Sequence, residues 1–100
     1  MPMRRMLTIL SIALLVGLSA CATKPPVQEM AEARAAISAA KSVETVSGLE
    51  PEILISAERA LEKASEAIEK KQFERARQLA REAKYKAQQA AHIKQKDLKE

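Results

Sequence analysis

Residues 57–90 read AERALEKASEAIEKKQFERARQLAREAKYKAQQA, and the phase of their apolar positions decides the fold. Ala57, Leu61, Ala64 and Ile68 recur at spacings of 4, 3 and 4, one face of an α-helix. Phe73, Ala76, Ala80, Ala83, Ala87 and Ala90 form a second face at spacings of 3, 4, 3, 4 and 3. No Gly or Pro separates the two, so propensity alone would run one helix through the whole stretch. Extending the first rhythm, however, lands on Lys71, Arg75, Gln78 and Glu82, all polar. A continuous helix would turn its apolar stripe into water there. The chain is therefore predicted to turn at Lys70, Lys71 and Gln72 and pack back as an antiparallel hairpin.

Upstream, residues 27–46 are rich in strong helix formers, with Met30, Ala33, Ile37 and Ala40 at helical spacing and Ala36 and Val43 widening the stripe. Gly48 is placed to end this helix in the left-handed conformation. Pro51 suits the first turn of the next, where its missing N–H costs nothing. With Glu50 as cap, Leu49 and Leu54 have the spacing of a hydrophobic staple. The expectation is all-α: an alanine-rich hairpin completed to a three-helix bundle over residues 27–96. After Ile93 the tail KQKDLKE loses its apolar period, and residues 97–100 are predicted to fray.

Charge divides along the same line. Residues 27–69 hold four basic and nine acidic side chains, whereas residues 70–100 hold ten basic and four acidic. Glu58, Glu62, Glu66 and Glu69 form one row, and Arg77, Arg81, Lys84 and Gln88 another. Antiparallel packing is expected to set these rows against each other, at ~0.2–1 kcal/mol per exposed pair. Phe73 and Tyr85 are the chain's aromatic residues, so its core is mostly alanine methyls and correspondingly thin.

The first residues have a different character. Arg4 and Arg5 precede an uncharged apolar run over residues 6–18, shorter than the roughly 20 residues of a spanning helix. It ends in Leu18-Ser19-Ala20-Cys21, which resembles the lipobox of bacterial lipoprotein precursors. The resemblance implies a signal peptide over residues 1–20, diacylglyceryl transfer to the Cys21 sulfur, cleavage between Ala20 and Cys21, and a further acyl group such as palmitate on the new amine. A thiolate is the nucleophile that can form the thioether, and two or more acyl chains anchor where one binds only marginally. The rival reading is an ordinary signal or a short membrane helix whose cysteine is incidental. Cys21 is the chain's one cysteine, so lipidation would leave neither disulfide nor thiolate metal site. Residues 22–26 (ATKPP) make a short tether of ~15 Å if extended as polyproline. In a two-membrane host, Ala22 and Thr23 after Cys21 in place of aspartate imply, again by resemblance, sorting to the periplasmic face of an outer membrane; in a host with one membrane the same residues carry no sorting message.

The pattern ARAAISAA at residues 33–40, then Glu50-Pro51-Glu52, then Ala57-x-x-Ala60-Leu61-x-x-Ala64, resembles envelope lipoproteins of domain-of-unknown-function family 4398. So does Phe73-Glu74-x-Ala76-Arg77-x-Leu79-Ala80-x-Glu82-Ala83. The resemblance spans roughly residues 29–92 and implies a small helical lipoprotein domain, joined in longer members to an OmpA-like peptidoglycan-binding domain. It supplies no activity. Residues 57–90 also resemble one tetratricopeptide helix pair, with Lys71 standing where that pattern has a turn glycine. A solenoid needs about three such units.

Catalysis would need a nucleophile, base and orienter brought together in a pocket. His92 and Asp97 are the only residues of their types, and five residues apart on a helix they point to different faces. No enzymatic activity, metal site or cofactor is expected. The stripe of Arg77, Arg81 and Lys84 is a candidate face for an anionic partner such as headgroups, peptidoglycan carboxylates or an acidic protein. The competing reading is a solvated face neutralised by the second helix. Nucleic acid is disfavoured, since Tyr85 alone could stack a base there. The small alanine core would gain from a partner over Ile53, Ile55, Ile93 or the outer face of the first helix. The expected function is a non-enzymatic, membrane-anchored interaction or structural module that docks on an envelope protein or self-associates. The alternative is an oligomeric alanine-zipper rod on peptidoglycan, like the major outer-membrane lipoprotein; Gly48, Pro51 and the phase break near Lys71 speak against it.

Overall fold

The computed structural model describes residues 24–45 and 48–99. Three helices follow one another: α1 (Val27–Ser42), α2 (Glu52–Glu69) and α3 (Phe73–Lys99). The described residues contain no strand, and the all-α bundle expected from the periodicity is the architecture found. α3 is the shared spine. Both other helices pack along it, and they meet each other far less.

Two layers of core set the register. Met30 and Ala33 of α1 lie with Ala60 and Ala64 of α2 and Ala80 and Ala83 of α3. Ile37 and Ala40 lie with Leu54, Ala57, Ala87 and Ala90. α1 and α3 therefore run parallel, and α2 runs back between their levels. Every core position of α3 from Ala76 to Ala90 is an alanine with no exposed surface. Side chains this small let backbones approach closely, so contact is tight although each methyl buries little area.

The turn between α2 and α3 falls at the phase break. Lys71 takes φ 60°; its N–H bonds Ile68 O at 2.9 Å, and Gln72 N–H bonds Ala67 O at 2.8 Å. These are the two bonds of a Schellman motif, with a lysine in the left-handed position usually given to glycine. Gln72 O then accepts Ala76 N–H at 2.9 Å and opens α3.

Several local expectations are corrected. α1 ends at Ser42 rather than Val46: Ser42 Oγ bonds Ala39 O at 2.8 Å, and the β-branched Val43 is extended. Gly48 does adopt φ 72°, but in the loop, where its N–H meets Thr45 O at 3.3 Å, and it caps nothing. Pro51 precedes α2 as its N-cap instead of occupying the first turn. Leu54 is buried while Leu49 is 75% exposed, so the staple is not built. On α2 the fully buried positions are Leu54, Ala57, Ala60, Ala64 and Ala67, with Leu61 and Ile68 half-buried. Alanine against the spine wins over the larger side chains, which flank the seam. α3 runs past Ile93 to Lys99, because Lys94 is seated in the bundle.

Candidate interaction surfaces

Lys94 is the largest buried side chain, 1% exposed. It continues the rhythm of the α3 stripe one step beyond Ala90. Its Nζ donates to Ala40 O at 2.9 Å and pairs with Glu50 Oε2 at 2.6 Å. One ammonium thus satisfies a carbonyl in the last turn of α1, where the helix dipole favours a cation, and ties down the α1–α2 loop. Sequence reading missed it by giving that lysine to a frayed tail. The 3–4 spacing, carried past a change of residue type, was the available signal.

The expected anionic-partner stripe is largely occupied within the chain. Arg77 Nε meets Glu29 Oε1 at 3.3 Å, and its Nη1 meets Glu74 Oε2 at 2.8 Å. Lys84 Nζ meets Glu32 Oε2 at 3.1 Å. Arg81 is exposed and makes no ion pair among the described residues. The long-range partners of Arg77 and Lys84 are on α1, not in the row of α2 acids expected to face them. From α2, Glu58 instead pairs with Lys41 of α1 at 2.8 Å. Hydrogen bonds from Lys84 and Gln28, with the charge of Lys84, hold the Glu32 carboxyl below its ordinary value. The hydrogen bond and charge of Glu58 hold the Lys41 ammonium above its own.

At the far end of α3 an open groove of about 730 Å³ is lined by Ile53, Tyr85, Gln88, Gln89, His92 and Ile93. Tyr85 is 65% and Ile93 43% exposed. None of these six side chains carries a fixed charge, on a chain of which 30% is charged. His92 belongs to this groove, and both it and Asp97 are exposed. A smaller cavity of about 310 Å³ lies beside the hairpin turn, between Lys63, Glu66, Ala67, Lys70, Gln72 and Arg75.

Among the described residues no cluster of three or more acidic, histidine or cysteine side chains is placed to hold a metal, and no helix is long and apolar enough to cross a membrane. Ala20 and Cys21, with the rest of residues 1–23, lie outside the described residues. A family model described as Domain of unknown function (DUF4398) matches residues 28–99. Neither a curated protein nor a solved structure matches the chain.

Proposed function

This chain belongs to the DUF4398 family, and we propose that it is a non-enzymatic envelope lipoprotein, anchored through Cys21, whose helical domain is a protein-interaction module. The carrying observation is the uncharged groove of Ile53, Tyr85 and Ile93 at one end of an otherwise charged bundle. Apolar side chains left at the rim of a concave surface are what a docking partner would cover. The anchor rests on Leu18-Ser19-Ala20-Cys21 and the apolar run before it. Ala22, rather than aspartate, after the cysteine favours the periplasmic face of an outer membrane.

The alanine-zipper rod has less in its favour. The α3 alanines that would form an intermolecular seam are buried by α1 and α2 of the same chain.

Two measurements test the reading. Cys21→Ser should abolish acyl labelling and cleavage after Ala20; processing that persists, with the chain still membrane-bound, refutes the anchor. A photo-crosslinking side chain at Tyr85 should capture a defined envelope partner or a second copy, while one at Glu62 on the outer face of α2 should not. Equal yields from both positions would remove the groove from consideration.

A further inference from the structure

The register of the helices shows which end of the bundle adjoins the anchor. Arg77 is one helical turn from the start of α3 and meets Glu29, in the first turn of α1. α1 therefore begins beside the α2–α3 hairpin turn and runs away from it. Lys24 lies just before α1, and Cys21 is three residues further back in sequence. Three residues reach at most ~10 Å, so a lipid on Cys21 would bring the turn within reach of the headgroups without by itself pressing it onto them. The groove lies at the opposite end of the domain, about the 18-residue length of α2 away, or ~27 Å.

That near end is basic. Lys24, Lys63, Lys70, Lys71 and Arg75 are exposed, and none is in an ion pair among the described residues. Glu66 and Glu69 stand among them, while Glu74 is taken by Arg77. Lys71 adds an independent sign. A non-glycine residue at φ 60° costs stability, yet the turn places a lysine at its tip where glycine would be easier.

We propose that the hairpin-turn end, through Lys70, Lys71 and Arg75 with Lys24 and Lys63, docks on anionic phospholipid headgroups of the leaflet that holds the anchor. This rests on the lipidation of Cys21 proposed above. The basic end then lies on the membrane and the groove faces away from it, towards a partner.

The chain has no tryptophan, so a single one reports position. Full-length protein bearing Gln72→Trp at the turn, or Leu49→Trp at the far end, is placed in phosphatidylcholine vesicles with or without phosphatidylglycerol. The vesicles also carry a headgroup-region quencher. Both sites are exposed, and circular dichroism checks that each variant folds. The indole at the turn should be quenched far more than the one at the far end, and the difference should fade without phosphatidylglycerol. Replacing Lys70, Lys71 and Arg75 by Gln should weaken the contact about a hundredfold, at about fivefold per side chain, and abolish the difference. Replacing Arg59, Lys96 and Lys99, which lie elsewhere, should not. Equal quenching in the two variants, stronger quenching at the far end, or indifference to phosphatidylglycerol would overturn the proposal. The mass of the same sample reports acylation separately. An acylated chain without the difference refutes the basic end and spares the anchor; a non-acylated chain that keeps it does the reverse.

Discussion

At residue scale the structure turns on two lysines that local chemistry would have placed elsewhere. Lys94 buries a four-carbon stem and delivers its ammonium to Ala40 O and Glu50. Lys94→Met keeps an unbranched apolar stem and loses both polar contacts, leaving Ala40 O with only the long 3.4 Å bond from Val43 N–H and Glu50 without its ammonium. It should cost about 2 kcal/mol in urea unfolding, the range of a hydrogen bond to a charged group. Wild-type stability in that variant would show the ammonium to be incidental. Lys71 has the opposite sign. Lys71→Gly relieves a left-handed backbone and should stabilise by about 1 kcal/mol, raising the melting temperature by roughly 4–8 °C for a domain of this size. A lower melting temperature would mean that the lysine makes contacts worth more than the strain.

Among the elements, α3 bears most of the packing. Its alanines are fully buried against two neighbours, so a larger side chain has nowhere to go. Ala83→Leu should push α1 and α2 off the spine and cost about 1–3 kcal/mol by overpacking; a neutral effect would mean the layers are looser than the burial indicates. The α1–α3 contact also carries a pH dependence. Lys84 and Gln28 hold the Glu32 carboxyl below its ordinary value of 4.5, so its contribution is present at neutral pH and is lost as pH falls through the lowered folded value. Acid titration of unfolding should show this loss, and Glu32→Gln should blunt it. The alanine stripe of α3 was legible from spacing alone because it is a local, periodic property. The choice between Ala60 and Leu61 at the seam was not, since it depends on how near the spine comes.

For the whole molecule, three helices sharing a thin alanine core should unfold as one unit. α1 covers the spine at both core layers, and short helices are marginal without tertiary packing. Ile37→Asp in α1 should therefore reduce the helical circular dichroism signal by much more than the 16 residues of α1 would contribute. A loss confined to that share would make the α2–α3 hairpin an independent folding unit. The same arrangement separates the two surfaces in space, with the basic turn beside the start of α1 and the uncharged groove at the other end.

The order of residues alone determined the helical class, the place of the hairpin turn and the alanine face of α3. Each follows from spacing along one chain segment: about 3.6 residues per turn either keeps apolar groups on one side or does not. The candidate lipid attachment at Cys21 is likewise a property of contiguous residues. Only the tertiary structure decided that Arg77 and Lys84 answer Glu29 and Glu32 rather than the acids of α2, because pairing depends on the axial register of helices about fifty residues apart. Only packing could seat Lys94, whose burial needs a carbonyl from α1 and a carboxylate from the loop to arrive together. Charge counts along a chain say which rows exist. The packing of α1 decides which of their charges are answered and which are left facing water.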